Sequence, residues 1–368
     1  MSVAADRFRR FLLPGLAFKA VVIGGGYATG RELAEFFLPH GPWGGVAAMG
    51  LATLIWSLVA AATFAVAFRT GARDYRHFFQ ELLGRSWFLF EIAYAVFIVL
   101  ILAVFGAAAG EIAKATLGLP GIAGTLALMA AIVACVAFGN DSVERVFMVL
   151  SVLLYLTYAI FLALSLAGVG GRIADTFAAA APPGAGWSLG ALAYASYNIV
   201  GAVVILPITR HFRSQRDAVR AGLIAGPLAM LPALLFFVSM VAFLPEVTAA
   251  VLPSDFILGR LGHPAFNALF QLMIFAALLE SGIGAVHAVN ERIAKTRGIE
   301  ITAAVRAALA FALLLPCMLV ADGIGLVALI ASGYRVLAWI FIAVYIIPLL
   351  AYVLLRRGGS GPILQSEP

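Results

Sequence analysis

Glu280 stands alone in the apolar run FAALLESGIGAVHAV, with Ser281 beside it and His287 further along the same helical face. A carboxylate at mid-bilayer depth costs several kcal/mol, roughly 3 or more, unless it is paired, hydrated or protonated. It therefore reads as a proton carrier or a ligand for Na⁺. The structural alternative is a pair with Arg31, Arg335 or a backbone donor. A second group lies in IGGGYATGRELAEFF: Gly24, Gly25, Gly26, Tyr27, Thr29, Arg31, Glu32 and Glu35. Successive glycines break a helix and free backbone groups for ions or polar ligands. Carbonyls around Val22 and Gly25 are then available to help Glu280 and Ser281 hold a cation. Thr29 and Glu32 have capping-box spacing, so Glu32 is expected to hold a helix start rather than a ligand. Arg31 and Glu35 are spaced to pair on one helix face. A third group is Tyr197, Asn198 and Gly201 in YASYNIVG, and a fourth is Tyr334 with Arg335.

The elements that position these residues follow from composition. Of 368 residues, 63% are hydrophobic and 11% charged, far below the roughly 25% charged of a soluble domain. The expected fold class is an all-α integral membrane protein, one transmembrane domain over 1–368. Ten apolar segments can be drawn, at about 11–38, 44–68, 87–113, 120–139, 145–168, 187–210, 219–244, 265–291, 302–320 and 333–355. The N-terminus shows no cleavage site of small residues, so the first segment is expected to be retained. Basic residues gather in alternate connections, among them Arg7, Arg9, Arg10 and Lys19; Arg69, Arg73 and Arg76; Arg145; Arg210 and Arg213; Arg292, Lys295 and Arg297; Arg356 and Arg357. The positive-inside rule then places both termini in the cytoplasm of the cell's inner membrane. These bases are topology signals, which excludes a nucleic-acid surface. Cys135 and Cys317 lie in apolar runs and give neither a disulfide framework nor metal spacing.

The first segment is too long for one straight span, and the glycines split it. The outer half-helix is expected over Gly30–Leu38, with Thr29 as its cap. Segment six is expected to break in the same way, with an inner half-helix over Ala202–Arg210. Two matched breaks, at the start of halves covering about 11–168 and 187–355, point to a 5+5 inverted repeat with helices 1 and 6 discontinuous and a binding site between them. The long connections 169–186 and 245–264 face outward, the second with a short surface helix over an entrance. The apolar stretch 321–332 reads as a short interfacial or re-entrant piece.

The motif IGGGYATGRELAEFF resembles the first helix of the YkvI-like bacterial membrane proteins, of the amino acid–polyamine–organocation superfamily and the LeuT-type fold. Gly24, Gly26, Tyr27, Ala28, Thr29, Gly30 and Glu32 fit that family's pattern, while Gly25 and Arg31 depart from it. FGAAAGE at 105–111 and Gly333-Tyr334 are also similar. The resemblance implies ten helices, with helix 8, and hence Glu280 and Ser281, packed on the break in helix 1. It also implies an outer gate between Arg31 and helix 10, although Arg335 there would repel Arg31.

The expected function is an ion-coupled secondary transporter, driven by Na⁺ or H⁺, of a small polar, amino-acid-like solute. It would need no cofactor and no obligatory protein partner, only the solute and the bilayer. The solute's carboxylate would meet backbone N–H groups at the start of the outer half-helix. Gly24, Gly25, Gly26, Tyr27, Thr29, Tyr197, Asn198, Gly201 and Tyr334 would line the site. A membrane enzyme is the weaker reading, because only His287 lies within a segment and no hydrolase motif is present. A sensor or channel would lack a signalling domain or an acidic ring.

Overall fold

The computed structural model describes residues 3–138, 141–297 and 302–357. Every element among them is helical. A short α1 (Val3–Arg7) runs through a π-turn at Phe8–Leu12 into α2 (Leu13–Val22). Helical geometry stops at Ile23 and Gly24. One turn of α3 (Gly25–Thr29) follows, then a left-handed Gly30 at φ 82°, then α4 (Arg31–Phe36). The first half continues with α5 (Gly41–Thr70), α6 (Tyr75–Leu83), α7 (Phe88–Leu117), α8 (Gly121–Phe138) and α9 (Asp141–Ala179).

The second half opens with α10 (Trp187–Asn198), α11 (Val200–Val204) and a 3₁₀ stretch at Leu206–His211. Next come α12 (Gln215–Val241), the short α13 (Glu246–Ala249) and α14 (Pro253–Leu261), α15 (Pro264–Arg297) and α16 (Ala303–Ile324). The final stretch comprises α17 (Leu326–Ala328), α18 (Tyr334–Phe341) and α19 (Ile347–Arg357), joined by π-turns at Leu329–Gly333 and Ile342–Ile346.

Among the described residues eight helical stretches are long and apolar enough to cross a bilayer, and α8 adds a shorter apolar helix. The broken first segment contributes no uninterrupted span of its own. The chain is thus a multi-pass, all-helical membrane protein.

Close approach in lipid needs small residues. Gly222 and Gly226 of α12 lie directly on the backbone of α5 at Ala60, Ala61 and Thr53. Gly124 of α8 lies on the Ala109 carbonyl of α7 in the same way. Packed around the broken segment are α7 and α15 against α3, α10 against α4, and α12 against α2.

Three expectations about connections need correction. The stretch 169–186 is not all loop, because α9 runs on to Ala179 through a kink at Val169 (φ −137°, ψ 18°). The region 245–264 holds two short helices rather than one. The stretch 321–332 is not re-entrant. Chain reversal happens at Gly325, at φ 80°, a backbone angle suited to glycine. Residues before it complete α16, and residues after it begin the last membrane helix, with Leu326, Leu329 and Ile330 buried. The side chains of Arg145, Lys295, Arg297, Arg356 and Arg357, used for the charge asymmetry, lie outside the described residues.

Candidate functional site

The break in the first segment is tighter than a glycine triplet suggests. Ile23, at φ −74° and ψ 83°, closes a small turn in which the Gly24 N–H donates to the Val22 carbonyl at 2.8 Å. The Gly24 carbonyl accepts from Ala28 N–H at 2.9 Å. Of the carbonyls near the break, those of Val22 and Gly24 each already accept one backbone hydrogen bond. Gly25 faces Leu278 of α15 and Phe105 of α7 so closely that a Cβ would collide with the leucine. Its absent side chain lets α15 approach the break.

The expected capping box does not form. The residue before α4 is Gly30, not Thr29, and no side chain caps that helix. The left-handed turn at Gly30 separates the two partners. Thr29 Oγ instead donates to the Gly26 carbonyl at 3.1 Å and accepts from Arg31 N–H at 3.4 Å. Glu32 turns back over α3. Its carboxylate rests on Gly26, where any Cβ would overlap it. It accepts a hydrogen bond from the Tyr27 backbone N–H and one from the Tyr197 hydroxyl at 2.6 Å. Glu32 is only 2% exposed. The chain's own carboxyl group thus takes the Tyr27 N–H within α3, ahead of the outer half-helix whose first N–H groups were expected to receive a substrate carboxylate.

Around Glu32 lies an aromatic wall. The ring centroids of Tyr197 and Tyr334 are 4.4 Å apart, and those of Tyr194 and Tyr197 are 5.8 Å apart, edge to face. Phe36 closes the side against both Tyr194 and Tyr197 at 5.9 Å. Tyr194 and Ser196 keep buried hydroxyls with no hydrogen-bond partner. Tyr27 points away and donates to the Ala229 carbonyl. Tyr158 of α9 donates to the Ala28 carbonyl at 3.2 Å and steadies α3 from behind.

The second break is milder than expected. Ile199 keeps right-handed helical angles, and irregularity is confined to it and to Ile205. Asn198 bonds its own helix at the Tyr194 carbonyl. Gly201 is a packing glycine, pressed against Phe18 and Val21 of α2. An inner half-helix over Ala202–Arg210 does not form as one piece. Pro207 starts a 3₁₀ stretch there instead.

Two charge clusters tie the bundle together on either side of this site. At the N-terminal end Arg10 donates to Asp217 through Nη2 at 2.6 Å and Nε at 3.1 Å. Asp6 joins this cluster through Arg10 at 3.3 Å and Arg213 at 2.6 Å. Beyond Glu32, Arg31 pairs with Glu35 at 3.4 Å, as its spacing indicates. Glu35 also takes Arg335 of α18 at 3.0 Å. The anticipated repulsion between the two arginines is neutralised by the carboxylate between them. Arg31 Nη1 further holds the carbonyls of Thr248 at 2.8 Å and Ala250 at 2.9 Å.

Glu280 pairs with neither Arg31 nor Arg335. The charge in electrostatic range of it is Lys19 of α2, a buried lysine. Ser281 is half-buried beside it. Sequence reasoning counted Lys19 with the loop bases. The apolar flanks of LAFKAVVIG were the signal that it lies within a helix. Tyr194 was also missed, although the Tyr-x-x-Tyr spacing places it on one helical face with Tyr197.

Among the described residues no group of three or more His, Cys, Asp or Glu converges as a metal-ligand set. A cleft of about 360 Å³ opens between Glu111, Lys114 and the 250–256 loop. A larger, apolar groove of about 610 Å³ runs between α7, α16 and the stretch from α17 to α18, and Glu32 is not in its lining.

No protein-family profile matches the chain. It is 24% identical over 282 residues to the membrane protein YkvI of Bacillus subtilis, covering 76% of this chain and 80% of that one. Its fold overlaps that of MhsT in complex with L-phenylalanine, with a TM-score of 0.66 at 17% identity over 92% of this chain and 88% of the other. The manganese transporter of Eremococcus coleocola, in complex with an aromatic bis-isothiourea substituted compound, overlaps with a TM-score of 0.51 at 13% identity, over 97% and 89%. At these identities the overlaps establish a shared fold.

Proposed function

We propose that this chain is an ion-coupled secondary active transporter that moves a small polar solute of amino-acid-like size across the inner membrane. In this reading ten segments form two inverted repeats, over about 11–168 and 187–355, and both termini are cytoplasmic. The observation that carries it is a buried polar cluster at a broken helix, closed at both ends by ion pairs. Backbone that leaves helical geometry at membrane depth is tolerated where protein buries it or where it lines a cavity for a ligand. Ion pairs among Arg10, Asp217, Asp6 and Arg213 on one side, and Arg31, Glu35 and Arg335 on the other, are contacts that form and separate as one bundle rocks against another. The LeuT-type likeness, with an amino-acid complex and a manganese transporter among its neighbours, supports the same class.

Coupling is assigned to Glu280. A resident ammonium at Lys19 competes with Na⁺ for that carboxylate, which favours H⁺ of the two ions weighed from sequence. Uptake into proteoliposomes, with an imposed pH gradient, an imposed Na⁺ gradient or none, tests the whole reading. Accumulation of a bound solute only under a gradient is the expected result. Equilibration without accumulation under either gradient would remove active transport and leave a passive channel.

A further inference from the structure

Helix breaks at membrane depth expose amide N–H groups, and such groups favour an anion. Here the carboxyl group of Glu32 of the same chain takes that place, held by the Tyr27 N–H and the Tyr197 hydroxyl. Gly26 makes room for it, so its place is built into the backbone. A carboxylate offers about four acceptor sites, and these two donors leave capacity for more. Among the described residues no Lys, Arg or His comes within 4.0 Å of it. A carboxylate buried without a basic partner is costly as an anion, and a cation brought beside it offsets that cost. The rings of Tyr194, Tyr197 and Tyr334 add faces that attract cations. The Tyr194 hydroxyl, wholly buried and without a hydrogen-bond partner among the described residues, lies within electrostatic range of Glu32 and supplies a further acceptor. A second carboxylate brought to this point would share a buried site with Glu32, where two carboxylates cannot both ionise without cost.

We propose that Glu32, with Tyr194, Tyr197 and Tyr334, is a subsite for the protonated amine of the substrate, and that the chain selects organic amines lacking an α-carboxylate over the matching amino acids. This rests on the transporter reading and narrows its substrate class. Ammonium N–H groups bond Glu32 and the Tyr194 oxygen while the carbon chain lies against the tyrosine rings.

The experiment uses the full-length protein in nanodiscs and three matched pairs: 2-phenylethylamine with L-phenylalanine, ethylamine with L-alanine, and agmatine with L-arginine. Binding is read by thermal shift and calorimetry, and uptake in proteoliposomes. At least one amine is expected to bind about tenfold or more tighter than its amino acid. Glu32→Gln, which keeps acceptor and shape, is expected to abolish that preference. Tighter binding of the amino acids, unchanged amine binding in Glu32→Gln, or binding of none of the amines would each overturn the proposal. The comparison in the unaltered protein stands even if the variant misfolds. Gradient-driven uptake of an amino acid with no preference for its amine would sink this proposal and leave the transporter reading intact. Amine binding without gradient-driven uptake would do the reverse.

Discussion

Replacing Arg31 by Ala tests whether the Arg31 cluster is a gate or a brace. Arg31 makes two hydrogen bonds to loop carbonyls, at Thr248 and Ala250, and one longer pair with Glu35. A hydrogen bond from a charged donor contributes about 1.5–3 kcal/mol, and a helix i,i+4 pair about 0.3–0.5 kcal/mol. Glu35 is not stranded by the change, because Arg335 still holds it at 3.0 Å. The loss is therefore near the lower end, about 3–4 kcal/mol in all, rather than that plus the cost of an orphaned charge. If these contacts exist only while this side is closed, the whole loss falls on the closed state. Each 1.4 kcal/mol is a factor of ten, so opening becomes at least about a hundredfold more frequent. Hydrogen–deuterium exchange reads this directly. Amides of 245–252 and of α4 should exchange about a hundredfold faster in the variant, while α12 and α5 keep their protection. Unchanged exchange at 245–252, or faster exchange spread evenly over all helices, would refute a gate, the second outcome showing a brace for the whole fold.

Other substitutions probe the remaining parts. Asp217→Asn removes the charged partner of Arg10 and, with Asp6 left between two arginines, should raise exchange in α1 and α2 by about tenfold, the equivalent of one charge-assisted hydrogen bond of about 1.5 kcal/mol. Glu280→Gln should abolish the gradient dependence of uptake, and uptake with unchanged ion dependence would dismiss its coupling role. Lys19→Met should destabilise the protein more in the presence of Glu280 than beside Glu280→Gln, with a coupling of about 0.5–3 kcal/mol in a double-mutant cycle followed by thermal melting. Gly30→Ala places a side chain at φ 82° and against the Phe236 ring. A loss of about 2–4 kcal/mol and a clear fall in Tm are expected, from backbone strain plus overpacking.

Hydropathy and charge bias were enough to identify a multi-pass helical protein, because lipid imposes apolar runs of a set length whatever the fold. The break in the first segment was equally plain, since three adjacent glycines inside an apolar run have few other uses. Local pairing was legible too: Arg31 and Glu35 meet because i,i+4 spacing alone brings them together. Elsewhere local rules misled. Thr29 and Glu32 have the spacing of a cap, yet the left-handed turn at Gly30 between them sends the carboxylate back over α3. Gly201 was grouped with the polar residues of the second break, and it packs against Phe18 and Val21.

Glu32 and Tyr197 are far apart in sequence, and so are Glu35 and Arg335, and Lys19 and Glu280. Composition and periodicity carry no information about which distant polar groups share a buried space, because each helix satisfies its own backbone and presents its side chains independently. Only helix packing, set by glycines such as Gly25, Gly222 and Gly226, decides that these charges meet. The sequence alone determined that the chain crosses a membrane and interrupts its first crossing. The tertiary structure decided that the polar group placed at that interruption is a carboxyl group belonging to the chain itself.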